Sequence, residues 1–194
     1  MDKKRLLQTI GLATKRGAEE RGKYLREKKI FASVGENVHF QPRLVPLYPE
    51  LIKLHNNIMV SAGVRFITHD ASFVVLNRLN KGRFPEKIGC IEVMDNVYIG
   101  YNATIMPNVK IYNNVIVGAG TLISKDLAPN GVYVGVPAKR ICSFDDYINR
   151  HSENFDSAGG YSYPYIQHNQ NILEDEIERA WRMFEDSRDI EGTE

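Results

Sequence analysis

Long apolar runs are missing from this chain of 194 residues, and so is any large imbalance of charge. A membrane-crossing helix needs about 20 consecutive apolar residues, so none is expected. The first thirty residues also lack the apolar stretch of a secretory leader. A formal net charge of +1 gives no electrostatic drive toward nucleic acid. Cysteine is scarce: Cys90 and Cys142 cannot build a disulfide framework or a CxxC pair, which points to a reducing compartment. Ordinary packing is the expected role of both thiols. These absences predict a cytoplasmic protein without a nucleic-acid partner, and a hydrophobic content of 43% leaves enough for a core.

What the chain does have is a period of six. Val93, Ile99, Ile105, Ile111, Val117 and Ile123 form one ladder in which every rung is valine or isoleucine. Neither the strand period of two nor the helix period of 3.6 returns side chains this way. Four places after each rung come Val97, Ala103, Val109, Val115, Thr121 and Leu127, all apolar or small. Just before that second row stand Asn96, Asn102, Asn108, Asn114 and Gly120, the residue types that reach positive φ most cheaply. The unit is a short extended run, a sharp corner and another short run. Stacked coil on coil, about 4.8 Å apart, such units pair their backbones in parallel and bury a column no single coil could bury. The pattern therefore predicts an all-β core built as a parallel β-helix. It does not give the hand, and the general preference for right-handed crossovers points to the right-handed form.

The repeat begins faintly at Val34-Gly35-Glu36-Asn37-Val38 with Phe40, and recurs at Val60, Gly63, Val64 and Phe66. These pieces are out of phase with the ladder, so insertions are expected at 41–57 and 70–90, as loops on one face. Residues 1–29 read as an N-terminal polar helix with Leu6, Ile10 and Ala13 on one face among lysines and arginines. It could cap the stack, or rest peripherally on anionic lipid or a lipid-linked substrate. Residues 30–142 are the β-helix domain. Residues 143–194 read as a linker, with the aromatic stretch Tyr161–Tyr165, and a helix over 172–186 carrying Leu173, Ile177, Ala180, Trp181 and Phe184 on one face. That face is expected to dock on the chain's own body or on a sister subunit.

Ile99-Gly100-x-Asn102, Gly118-Ala119-Gly120-Thr121, Ser124-Lys125-Asp126 and Gly135-Val136-Pro137-Ala138-Lys139 resemble the motifs of the hexapeptide-repeat acyltransferases. Within that superfamily the chain is most similar to the sugar O-acetyltransferases, including the galactoside and maltose enzymes and those that decorate capsular and O-antigen polysaccharides. The resemblance covers residues 34–142 and implies a left-handed coil with helical appendages, acetyl-CoA as co-substrate, no required metal, and a saccharide acceptor. It also implies a homotrimer, with the histidine from one subunit meeting the coenzyme groups of the next.

Moving an acetyl group from a thioester to a hydroxyl requires a base near the acceptor oxygen, and imidazole titrates close to neutrality. Of the five histidines, His55 reads as a surface residue in a short helical insert, His39 points outward by alternation, and His151 and His168 lie in the tail. His69, in Phe66-Ile67-Thr68-His69-Asp70, ends a repeat piece at the mouth of the longest insertion. The resemblance makes it the catalytic base of a direct transfer without an acyl-enzyme. Asp70 could orient a histidine, but a neighbour on an extended chain points the other way. By the same resemblance Gly118, Ala119 and Ser124 contact pantetheine, Lys125 reaches the phosphate end, and Lys139 and Arg140 suit the adenosine phosphates. Two departures stand out: Tyr101 occupies a place where a small hydroxyl residue is common, and Tyr98 one where tryptophan is frequent. The family's early acceptor-binding asparagine has no counterpart. The alternatives are N-acetylation of an amino sugar or antibiotic, a zinc enzyme on the same coil, and a non-catalytic scaffold. Zinc requires three converging histidines, and only His69 is well placed in the repeat.

Overall fold

Burial follows the ladder. Val93, Ile99, Ile105, Ile111, Val117 and Ile123 are all 0% exposed in the computed structural model, and the second row from Val97 to Leu127 is buried beside them. At the corners Asn96, Asn102, Asn108 and Asn114 take φ between 58 and 60°, and Gly120 takes 68°. Side chains other than asparagine's would strain there.

The structure describes residues 2–157 and 174–186. Two helices come first, α1 (Lys3–Ala13) and α2 (Ala18–Glu27), followed by strands β1 (Ser33–Val34), β2 (Val38–Phe40), β3 (Ile52–Leu54), β4 (Ile58–Val60) and β5 (Arg65–Phe66). An insertion follows, made of β6 (His69–Asp70), α3 (Phe73–Leu76) and β7 (Lys87–Ile88). The regular coils then run through β8 (Ile91–Val93), β9 (Val97–Ile99), β10 (Thr104–Ile105), β11 (Val109–Ile111), β12 (Val115–Val117), β13 (Leu122–Ile123), β14 (Gly131–Val134) and β15 (Lys139–Ser143). Helices α4 (Phe144–Ser157) and α5 (Glu174–Asp186) complete the described chain. Two units result, Met1–His151 and Ser152–Glu194.

Three sheets form the sides of a prism. Strands β1-β3-β8-β11 make face A, β2-β4-β9-β12-β14-β15 face B, and β5-β10-β13 face C. Neighbours within a face are parallel except the last pair, β14 and β15. Register is strict: Ile105 lies between Phe66 and Ile123, and Val117 pairs with Ile99.

Residues 3–27 form two helices rather than one, broken at Lys15–Gly17. The buried face of α1 is Thr9 and Leu12, not the expected Leu6–Ile10–Ala13; Leu6 and Ile10 remain exposed. Helix α2 lies across the first coil so closely that a Cβ on Gly22 would meet the Val38 carbonyl at 1.9 Å. From this helix Arg21 donates to the carbonyl of Phe40 (2.7 Å) and Arg26 to that of Gly35 (3.2 Å).

Part of the expected first insertion is a coil. Ile52–Leu54 pairs in register with Ile91–Val93, and Asn57 turns the next corner at φ 54°. The helical reading of Leu51–His55 is therefore corrected to strand, only Pro49–Leu51 being a 3₁₀ turn. Apolar alternation followed by a corner asparagine, the same signal as in the ladder, was present at 52–58 but displaced in phase. Helix α4 was not anticipated. In α5, Ile177, Trp181 and Phe184 are 43, 59 and 47% exposed, with Trp181 and Phe184 edge to face at 5.5 Å. The aromatic stretch Tyr161–Tyr165, His168 and Leu173 lie outside the described residues. Among the described residues no helix is long and apolar enough to cross a membrane.

Candidate active site

His69 is held where the chain leaves the prism. Ile67 still donates to Ile105 across face C at 2.9 Å. The chain then departs at the corner between faces C and A, with His69 opposite Ile88 and Asp70 opposite Lys87 in an antiparallel pair. It re-enters at Gly89, whose N–H donates to the Thr68 carbonyl at 2.9 Å. The insertion is thus stitched shut at its base, and His69 belongs to a fixed strand at the foot of a loop. The Thr68 hydroxyl, buried, donates to the Leu47 carbonyl and ties the 41–51 segment to the same corner.

Two residues that sequence reasoning did not single out flank the imidazole. The Tyr48 ring meets it edge-on at 5.9 Å, and the Tyr48 hydroxyl donates to the Glu86 carboxylate at 3.0 and 3.2 Å. This bond pushes the phenol above its ordinary pKa. Tyr48 itself sits at φ 49°, in the left-handed region. No periodicity marks 41–51 or 71–86, so no pattern in the sequence pointed to this pair. Asp70 is committed elsewhere: its carboxylate accepts from the Ser72 N–H at 2.8 Å. Those bonds to Ser72, more than the charges of Lys87 and His69, hold it below the usual carboxylate range. The Nδ1 of His69 is buried and has no hydrogen-bond partner among the described residues. A buried polar atom left unpaired asks for a partner from outside the chain.

His69 lines a cavity of about 590 Å³, within the range of small-molecule sites. Phe66, Leu47 and Val45 give it apolar wall, and Arg5, Arg43, Arg65 and Asn102 give it polar rim. A smaller hollow of about 260 Å³ lies on face B against His39, Met59, Tyr98, Ile116 and Phe144. Tyr98 is 42% exposed there and Tyr101 56% exposed at the adjoining corner.

The residues expected to hold a coenzyme fall into two groups. Ser124 and Lys125 follow Ile123 as Ile67 and Thr68 follow Phe66, so they share the His69 corner two coils further on, roughly 10 Å along the stack. Both are exposed. Gly118, Ala119 and Gly120 form the other corner of face C, between faces B and C, with Ala119 and Gly120 exposed. Lys139 pairs with Val134, the side chain that a Cβ on Gly118 would meet, so it extends the Gly118 corner. Arg140 turns back and donates to the Asn130 carbonyl at 2.8 Å. One chain therefore does not bring His69 and the Gly118 corner together: face C separates them.

The remaining histidines are elsewhere. His39 stands on the outer side of β2, His55 bonds Glu92 on face A at 2.9 Å, and His151 bonds the Tyr147 carbonyl within α4. Among the described residues no three His, Cys, Asp or Glu groups are placed to hold a metal ion. Cys90 is exposed rather than packed, and Cys142 is half-buried.

Residues 91–125 match the model of the bacterial transferase hexapeptide (six repeats) family. Protein CapG of Staphylococcus aureus is 37% identical over 117 residues, 59% of this chain and 66% of that protein. The galactoside O-acetyltransferase of Escherichia coli (strain K12) is 28% identical over 141 residues, 61% of this chain and 67% of that protein. Against the first three curated relatives the match spans 53 to 66% of their length. The solved structure of a galactoside acetyltransferase in complex with coenzyme A superposes with a TM-score of 0.55 over 75% of this chain and 83% of that chain, at 24% identity. That likeness establishes the fold as the expected left-handed parallel β-helix with helices at its ends. The repeat over residues 91–125, the fold and the curated relatives agree in making this chain similar to the hexapeptide-repeat acetyltransferases.

Proposed function

We propose that the chain transfers an acetyl group from acetyl-CoA to a hydroxyl of a saccharide, with His69 as general base. The carrying observation is the unpartnered, buried Nδ1 of His69 in a side chain that lines a cavity of about 590 Å³. The acceptor hydroxyl gives its proton to the imidazole as its oxygen bonds the acetyl carbon; the carbon–sulfur bond breaks, and the proton passes to the departing thiolate. Backbone N–H groups at the coil edge stabilise the oxyanion. No acyl-enzyme is required. The names of the relatives, galactoside O-acetyltransferase among them, support this reaction class.

Pantetheine lies along Gly118, Ala119 and Ser124, Lys125 takes the phosphate end, and Lys139 and Arg140 face the adenosine phosphates. Because face C separates His69 from the Gly118 corner in one chain, a neighbouring copy supplies the second corner. A cyclic homotrimer, in the cytoplasm, is the assembly this reading favours. Thiol release from acetyl-CoA, measured against neutral sugars, amino sugars and antibiotics, tests the reading. Release that requires a sugar hydroxyl supports it; release only with amines replaces it with N-acetylation, and no release with any acceptor overturns it.

A further inference from the structure

We infer that the cavity beside His69 takes a saccharide carrying an anionic group, a phosphate ester or a carboxylate; this rests on the acetyl-transfer reading and names its acceptor class. Arg5, Arg43 and Arg65 line the cavity, and no aspartate or glutamate does. Among the described residues none of the three takes part in an ion pair with a carboxylate. Arg5 gives its Nε to the Val45 carbonyl and Arg43 one terminal nitrogen to that of Ala13, both at 2.9 Å. A guanidinium carries five N–H donors, so most of theirs remain for a ligand. Arg65 is exposed on β5, its neighbour Phe66 pointing into the core.

The charge behind the cavity is also in excess. Arg21, 5% exposed, spends its donors on the carbonyls of Phe40, Lys15 and Arg16. Phe40 in turn lines the cavity. Burial first, then the nearby charge of Arg43, weaken Arg21's hold on its proton, with Glu20 acting the other way. Three rim arginines and one buried beneath them make a field that favours an anion, and a guanidinium fork matches phosphate or carboxylate geometry.

Position separates this basic cluster from the one at Lys125. Face C runs in the order β5, β10, β13. Arg65 and the helices holding Arg5 and Arg21 lie at the β5 end, while Lys125 follows β13. The two clusters therefore approach His69 from opposite ends of the stack. A thioester arriving from the Lys125 end leaves the arginine end for the acceptor.

The test pairs a methyl hexoside with the same hexose as its phosphate and as its uronic acid, at fixed acetyl-CoA. The expected result is a kcat/KM about tenfold or more higher for an anionic member, as charge-assisted bonds would give; the two anionic arms tell phosphate from carboxylate. Arg65→Gln should narrow that ratio and Arg65→Lys should restore it in part. Equal or better use of the neutral sugar overturns the inference, as does an Arg65→Gln effect confined to the Kd of acetyl-CoA. Calorimetry with the hexose phosphate alone separates the two readings. Binding that Arg65→Gln abolishes, without thiol release from any acceptor, upholds the anion site and removes the acetyl-transfer reading. Thiol release without anion preference does the reverse.

Discussion

The side-chain amide of Asn96 donates to Oδ1 of Asn114, one coil further on, at 2.9 Å. The same bond joins Asn57 to Asn96 and Asn114 to Asn130, each at 2.8 Å, so four corners form one column. Each of these residues also has φ between 54 and 59°. Asparagine therefore does two things at one place: it accepts the left-handed backbone and links to the coil on either side.

Separating the two gives a stability prediction. Asn114→Ala loses both amide bonds and places a Cβ-bearing residue without local compensation in the left-handed region, for a cost of about 2 kcal/mol or more. Asn114→Gly keeps the backbone free and should cost roughly half as much. Urea unfolding of the two variants measures the difference.

Thr121 occupies an interior position with its hydroxyl buried and unpartnered among the described residues. Thr121→Val keeps the shape and removes the unpaired group, so it should stabilise by about 1 kcal/mol. A fall in the unfolding midpoint would show that the hydroxyl has a partner the chain alone does not supply.

His69→Ala should reduce turnover by roughly two to four decades, the range of a general base, while acetyl-CoA binds nearly as before. Stopped-time thiol assays beside calorimetry check both halves. Full activity with a genuine acceptor would sink the assignment.

Lys125→Ala should act in the opposite way, raising the Kd of acetyl-CoA by about tenfold through loss of a phosphate contact. At saturating coenzyme its turnover should stay close to that of the parent. A variant with unchanged Kd and depressed turnover would move Lys125 from the coenzyme to the chemistry.

Glu92 predicts an acid limb. Its carboxylate bonds His55 and Lys110, both at 2.9 Å, and these partners lower its pKa from 4.5, His55 foremost. A carboxyl depressed in the fold contributes stability above its unfolded value, and that contribution is lost as the pH falls through the folded value. Glu92→Gln should therefore flatten the decline in thermal stability below pH 4.5. An unchanged slope would assign the acid limb to other carboxylates.

The ladder from Val93 to Ile123 was legible because each unit repeats one short-range constraint: an apolar rung, then a corner residue tolerant of positive φ. The same constraint at Ile52–Asn57 was harder to see, since the 41–51 segment displaced its phase. His69 stood out as the candidate base by its place at a strand end and by resemblance. Tyr48, Glu86 and the arginines of the cavity come from four separate stretches with no shared period, and only tertiary packing brings them together. The split between the His69 corner and the Gly118 corner was likewise invisible until each residue had a face. It depends on three-sided stacking rather than on sequence order.

A stack of parallel strands has no natural length, because each terminal coil offers the same unpaired backbone that joined the coils within. Here the opening coil has already spent carbonyls of Gly35 and Phe40 on Arg26 and Arg21. At the closing end β15 runs antiparallel to β14, out of step with any further turn of the spiral. Head-to-tail growth into a filament is thereby discouraged at both ends, as sheet edges generally must be. Self-association is left to the flat sides.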